Sequence, residues 1–428
     1  MSALVADEGG VDDVEDLASF RDRARSFIRT NLRRLTPEEL RAHPETGDDE
    51  AELAAVARDR EIQRMLFDAG LAGICYPRAY GGQGLTPAHQ RVLNEELASH
   101  EYPVRTQIPN LSPCAVTILE AGTEEQKSRH LPAILRGEEL WMQFLSEPSG
   151  GSDVAAALTT AVRDGDQWVL NGSKVWTTGA WWSDWGLCLA RTNWDVPKHR
   201  GLTVFMLPIH QPGIEVHRIE MLNGSREFCQ EFITDVVVPD TDRIGDVDDG
   251  WSVVTRWMFH ERMLYTSPFV TEPVGTVHGR MDATAVFDIA RAAGLLDDPA
   301  VRELVGEARM LELVTNEVSQ HVGESIRSGR LNEQAAAIVR LFKGTTSSRL
   351  VTLAFEAAGA EGAAWSEHGA ASLSAVNYLM RQAGLIGGGT TEMARNVISE
   401  RVLAMPRERT SDKDVPFRDV PRSRPSHG

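Results

Sequence analysis

The apolar positions of this chain change period twice. Up to about residue 140 they recur at helical spacing. In "VEDLASFRDRARSFIRTNLRRL", Leu17, Phe20, Ala24, Phe27, Ile28 and Leu32 fall on roughly one face. A second helical run, "AELAAVARDREIQRMLFDAGLAG", ends at Gly70 and Gly73, where helices commonly stop. "YPRAYGGQGLTP" then predicts a loop, followed by a helix from about Pro87 to His100. Near Trp141 the spacing becomes alternating. "LTTAVRDGDQWVLNGSKVWTTGA" swaps apolar for polar residues across Asp-Gly and Asn-Gly pairs, which reads as hairpins. "GLCLARTN", "GLTVFMLPI", "GIEVHRIEML" and "EFITDVVVP" continue the short-strand pattern. From Trp251 to about Leu403 the helical period returns, broken at "LLDDPAV", "SGRLN" and "GAEGAAWSEHG".

This order predicts an α+β protein. Residues 1–140 form a helical domain, 141–248 a β barrel or sandwich, and 249–406 a second helical domain. The charged, proline-containing stretch 407–428 is expected to be disordered. Two helical bodies closing on a β domain leave a ligand cleft where they meet.

Composition narrows the function classes. Apolar content of 42% and charged content of 25% are those of a soluble globular protein. A net charge of −18 argues against nucleic-acid and anionic-membrane partners, because phosphate binding needs clustered Lys and Arg. No apolar run reaches the length of a membrane span, and the acidic "MSALVADEGGVDDVED" lacks the order of a signal peptide. A cytoplasmic location is expected. The four cysteines are far apart and read as buried free thiols in a reducing compartment. The chain has no HExxH, paired CxxC or P-loop, and no metal is expected. The Asn-Gly-Ser triplets at 171 and 223 read as turns.

Three segments carry candidate chemistry. "FLSEPSGGSD" (144–153) has small residues that would let a flat or phosphorylated ligand approach the backbone, or it is a plain connection. "NGSKVWTTGAWWSDW" (171–185) holds four of the ten tryptophans beside Thr177, Thr178 and Ser183. Ring faces and hydroxyls together suit a planar heterocycle, whereas Trp181 and Trp182 read equally well as core or interface anchors. "GLIGGGTTEMARN" (384–396) leads from glycines into a helix start, which can hold an anion or a carbonyl edge. Neither it nor "GGQG" (81–84) sits in a βαβ unit, so a Rossmann reading is weak.

One acidic residue stands out. In "WSVVTRWMFHERMLYT", Val254, Trp257, Met258, Glu261, Leu264 and Tyr265 share a helical stripe, with Glu261 in its middle. A buried carboxylate is costly unless paired. Glu261 is therefore either a structural partner of Arg262 or a cleft carboxylate with a raised pKa, fit to act as a general base.

Taken in order, five segments resemble the acyl-CoA dehydrogenases, over roughly residues 15–405. "AGLAGICYPRAYGGQGLT" resembles their N-terminal signature, "SEPSGGSD" their TEP-x-x-GSD motif, and "WVLNGSKVWTTGA" their G-x-K-x-W-I-T segment. "EFITDVVVPDTDRIGDVDDGW" with the following "ER" resembles the domain-closing region, and "IGGGTTEMARNVISERVL" the C-terminal signature. The resemblance implies a C-terminal four-helix bundle, with FAD held between it and the β domain. It also implies oxidation of an acyl-CoA or acyl-carrier-protein thioester to the α,β-enoyl thioester. Leu145, Ser146, Ser152, Trp176, Thr177, Thr178, Thr390 and Glu392 would touch the cofactor, with Thr178 near its reactive nitrogen edge. Ser152 would also face the pantetheine or phosphate end of the substrate, and Arg262, Gly388 and Gly389 would border the acyl group.

Most members carry the base just before the Gly-Thr of the C-terminal signature, and here that residue is Gly388. A minority use a glutamate beside an arginine on the helix after the β domain, the place of Glu261-Arg262. An electron-transferring flavoprotein as reoxidant and a homo-oligomer are implied as well. The small glycines at 387–389 suggest room for a branched or bulky acyl group. Two departures touch the assembly. The family's Arg-x-x-Phe-Gly segment is missing from "HGRMDATAVFDIARAAGLLDDPAVRELV", and its QxxGGxG-like stretch reads "EAAGAEG". A heteromer with incomplete sites would account for both. The rival readings are a flavin monooxygenase or oxidase, an idle subunit of a heteromer, and a flavin-free scaffold protein.

Overall fold

A computed structural model describes residues 14–36, 39, 48–262, 267–271, 273, 281–364, 370–407, 410 and 412–421. Helix α1 (Leu17–Asn31) starts at Asp16, whose carboxylate accepts from the N–H groups of Ala18 and Ser19. Phe20, Ala24 and Ile28 recur every fourth residue and are fully buried, whereas Leu17 drops off the stripe and stays exposed. Helices α2 (Asp49–Asp68), α3 (Pro87–Glu96), α4 (Val104–Pro109), α5 (Val116–Ala121) and α6 (Glu124–Arg136) complete the first domain. Between α4 and α5 the chain widens into a π turn, Asn110–Ala115, every residue of it buried. Pro109 immediately precedes this stretch and Pro113 lies within it; neither has an N–H to donate, which favours the irregularity. A reciprocal cap opens α6: Gln126 N–H donates to the Thr123 hydroxyl while the Gln126 side chain accepts from Thr123 N–H.

The β domain holds eight strands: β1 (Trp141–Phe144), β2 (Thr160–Asp164), β3 (Gln167–Thr178), β4 (Trp185–Arg191), β5 (Leu202–Pro208), β6 (Ile214–Ile219), β7 (Phe228–Pro239) and β8 (Arg243–Ile244). They run in the order β6-β7-β3-β2-β4-β5-β8, with β1 added parallel to β4. The Asp164-Gly165 hairpin turn forms as predicted, Gly165 taking a left-handed φ between β2 and β3. Asn171-Gly172 does not turn. It lies inside β3 at a register shift against β7, where Asn171 accepts from Asp235 N–H and donates to the Asp235 carboxylate. A bulge absorbs the Asn-Gly signal instead of reversing the chain.

Helix α7 (Gly250–Arg262) follows the β domain. The last body contains α8 (Ala283–Ala292), α9 (Pro299–Arg327), α10 (Ala336–Ala357), α11 (Ala370–Met380) and α12 (Thr391–Val397). It has its own core, built on Val286, Ile289, Leu353 and Ala354. Helix α7 does not join that core. Val253, Val254 and Trp257 pack into the cluster shared by the N-terminal helices and β5. The tail is not disordered throughout: within residues 412–421, Phe417 is buried against Trp194 of the β domain. An aromatic ring among charges sufficed to anchor a segment whose composition reads as disordered.

Candidate active site

Four elements carry the predicted residues: the loop 145–153, the end of β3, α7, and the glycine loop that enters α12. The loop is tied down by Glu147, a buried carboxylate that accepts from Leu158 N–H (2.6 Å), Thr159 N–H (2.9 Å) and the buried Lys174 ammonium (2.8 Å). Burial alone would raise the Glu147 carboxyl, but Lys174 and these N–H donors outweigh it and hold it below the ordinary range. Leu145 and Ser146 are half-buried beside this pair, the Ser146 carbonyl accepting from Val175 N–H at 3.0 Å. Ser152 stands exposed at the loop's far end.

At the end of β3 a second register shift, between Val175 and Thr177, turns successive side chains apart. Trp176 adopts φ +67° and leaves 54% of its surface exposed. A left-handed conformation costs a bulky residue about 1–2 kcal/mol, and strain of this kind concentrates at ligand sites. Thr178 stays half-exposed beside it. Thr177 differs from its two neighbours, since its side chain faces inward. Its hydroxyl is bound to the Gln143 carbonyl (3.3 Å) and to the buried Glu231 carboxyl (3.0 Å). A largely uncovered indole, with half-exposed Thr178 following it on the strand, fits the planar ring system of FAD. The inward Thr177 side chain does not contribute to that face.

Glu261 lies in the last turn of α7. The buried stripe of this helix runs through Val253, Val254, Trp257 and His260, so Glu261 borders the stripe and is half-buried rather than central. Leu264 and Tyr265, expected to extend the stripe, lie outside the described residues. Burial raises the Glu261 carboxyl above its ordinary value, and the charges of Arg262 and Arg340 pull against that rise. Among the described residues no ion pair joins Glu261 to Arg262, which is exposed. The result is a desolvated carboxylate with an open side, the environment of a general base.

Two residues that hold this turn were invisible to sequence reasoning. His260 sets its Nε2 3.1 Å from a Glu120 carboxylate oxygen, and its carbonyl accepts from the Ser112 hydroxyl in the π turn at 3.2 Å. Burial would raise Glu120, yet its bond to His260 and the nearby Arg256 bring it below the usual carboxylate range. Arg340, on α10, donates to the carbonyls of Gly384 (3.1 Å) and Gly387 (2.6 Å). One guanidinium thus fixes the glycine loop and adds positive charge toward Glu261. Gly344 leaves it room, because a Cβ there would lie 2.7 Å from an Arg340 nitrogen. These partners are far apart in sequence, so no local pattern marks them.

The glycine loop itself is open. Gly388 and Gly389 have φ of +68° and +94°, and a Cβ on either would meet nothing within 4 Å. The Thr390 hydroxyl caps α12 by accepting from Met393 N–H at 3.1 Å. Glu392 is exposed, with Arg395 3.6 Å away.

Comparison with known proteins agrees with this architecture. Residues 15–138, 143–236 and 248–403 match the N-terminal, middle and C-terminal domains of acyl-CoA dehydrogenases, respectively. Acyl-CoA dehydrogenase IpdE1 of Mycobacterium tuberculosis is 32% identical over 403 residues, spanning 92% of this chain and 99% of that protein. Among solved structures, the Tcur3481-Tcur3483 steroid ACAD G363A variant is 26% identical at a TM-score of 0.72, covering 92% of this chain and 99% of that one. A chain of the ChsE4-ChsE5 complex from Mycobacterium tuberculosis is 25% identical at 0.69, covering 94% and 100%. With all three domains matched in order and the helical–β–helical fold in place, the chain belongs to the acyl-CoA dehydrogenase family.

Proposed function

We propose that this protein oxidises a bulky acyl-CoA thioester to its α,β-enoyl thioester, with Glu261 as the base and FAD as the cofactor. The observation that carries the reading is Glu261 itself: a desolvated carboxyl with an open side on α7, while the usual base position is Gly388. Trp176 and Thr178 would hold the isoalloxazine, and Leu145, Ser146 and Ser152 would line its approach. Thr390 and Glu392 would meet the cofactor from the C-terminal domain. When bound, FAD supplies an acceptor for the hydride that leaves the β-carbon.

The protein's own residues do the rest. Glu261 takes the α-proton onto a carboxylate oxygen, and desolvation raises its basicity for that step. His260 and Glu120 fix the turn that carries it, which limits the search for a reactive geometry. The open loop at Gly388 and Gly389 would give the acyl group space, with Arg262 as a bordering residue. A bulky, steroid-like acyl group is favoured because that loop lacks side chains and because one similar structure is described as a steroid ACAD.

The test is Glu261→Gln. Flavin should stay bound, while anaerobic bleaching by an acyl-CoA slows by about 10²–10⁴-fold, the usual contribution of a general base. Bleaching at the wild-type rate would remove Glu261 from the mechanism. A second reading concerns assembly. The ChsE4-ChsE5 structure is a complex of two named components, and the missing Arg-x-x-Phe-Gly segment favours an unlike partner subunit here too. One flavin per chain in a purified homo-oligomer would rule that out. An electron-transferring flavoprotein is the proposed reoxidant.

A further inference from the structure

Residues 412–421 lie along the loop 192–201 that joins β4 to β5. Phe417 N–H donates to the Val196 carbonyl (2.9 Å) and Arg418 N–H to the Trp194 carbonyl (3.0 Å), so the tail adds a short backbone ladder to the loop. The Phe417 ring stacks on Trp194 with centroids 5.5 Å apart and receives the Arg191 guanidinium 3.7 Å from its centre. Arg191 is itself buried and faces two ways. It also donates to the carbonyls of Ala155 (2.6 Å) and Ala157 (3.0 Å), just past the "SGGSD" loop. Lys198 repeats the pattern, with its ammonium 2.7 Å from the Asp153 carboxylate and 3.2 Å from that of Asp412. Two cations of the β domain therefore grip the tail on one side and residues 153–157 on the other.

We propose that residues 412–421 are a strap that positions the Ser152–Ala157 loop for the thioester carrier, with Phe417 as its latch. The inference rests on the proposed acyl-CoA oxidation and on the family resemblance, which implies that Ser152 faces the pantetheine or phosphate end of the substrate. Adjacent glycines, Gly150 and Gly151, lead directly into this loop, and their freedom must be lost when a ligand is held. Fixing the loop beforehand moves that entropy cost from binding to folding. Contacts at the carrier end act equally on bound substrate and transition state, so the strap governs KM and leaves kcat alone.

The experiment compares wild type with Phe417→Ala in the full flavin-loaded chain, with Asp412→Asn as the milder variant should the first fold poorly. Amide exchange across 152–158 and 192–200 should speed at least several-fold in Phe417→Ala. KM for an acyl-CoA should rise about 5–20-fold, the scale of one lost preorganised element, with kcat within about twofold. Unchanged exchange would overturn the strap. Faster exchange with unchanged KM, a fall in kcat, or loss of flavin would overturn its role toward the carrier. A wild-type protein that no acyl-CoA reduces would sink the proposed function instead, and the exchange measurement would still decide the strap.

Discussion

One carboxyl buried in the β domain has no ion-pair partner among the described residues. Glu231 on β7 is fully buried and stands opposite Lys174 of β3 in register, but the Lys174 ammonium is bonded to Glu147 at 2.8 Å. Glu231 keeps the Thr177 hydroxyl at 3.0 Å, and its other oxygen has no hydrogen-bond partner. Burial pushes its carboxyl from 4.5 up to about 7, against the weaker pull of Thr177. That gap corresponds to about 3 kcal/mol, as an upper bound. The sign follows from linkage. Below pH 4.5 the group is neutral in folded and unfolded chains alike and the full stability is present. As pH rises from there to about 7, the unfolded chain ionises first, and stability is lost until the folded carboxyl ionises too. A glutamine in its place would mimic the neutral form at every pH. Glu231→Gln should therefore gain stability relative to wild type by up to about 3 kcal/mol between pH 5 and pH 8. Urea unfolding of both proteins at the two pH values, at equal ionic strength, measures the difference of differences. A constant gap across that range, or a variant that falls behind at pH 8, would refute the assignment of Glu231 as a neutral buried acid.

Three further outcomes are expected. Arg340→Met removes a charge that holds the Glu261 carboxyl down, so the acid limb of the bleaching rate should move to higher pH; a fixed limb in single-turnover profiles would show that Arg340 does not act on the base. Glu52→Ala strips a buried carboxylate from Arg218, Arg105 and the Trp182 indole N–H, and should cost about 3–5 kcal/mol in denaturant unfolding, as breaking a buried ion pair does. A loss below about 1 kcal/mol would mark that junction between the first two domains as solvated. Gly388→Ala should cost about 1–2 kcal/mol by calorimetry, the conformational penalty alone, because its Cβ enters open space. A larger loss would mean that the loop is crowded.

The domain order was legible because each body carries one dominant hydrophobic period, and periodicity survives folding. What the residues do singly was less legible. Glu261 stands out in the sequence because a carboxylate on an apolar stripe is a local anomaly, yet its position at the stripe's edge depends on His260 taking the buried place through Glu120, 140 residues upstream. Arg340 reads as one more helix-surface cation until the carbonyls of Gly384 and Gly387 arrive beside it. Trp181 and Trp182 illustrate the limit of composition. Both sit in an aromatic cluster suited to a ligand, but Trp182 is spent on Glu52 and the Arg218 guanidinium lies 4.2 Å from the Trp181 ring centre. Thr177 and Thr178 are neighbours of one residue type, and only the bulge decides which faces inward.

Helix α7 packs with the first two domains, and the glycine loop rides on a body with a separate core. The proposed base and the proposed wall of the acyl pocket therefore rest on different cores. Mutations that reshape α8–α12 can widen or narrow the space around Gly388 while Glu261 keeps its place on α7. A lineage built this way can change the size of molecule it accepts without having to rediscover its chemistry.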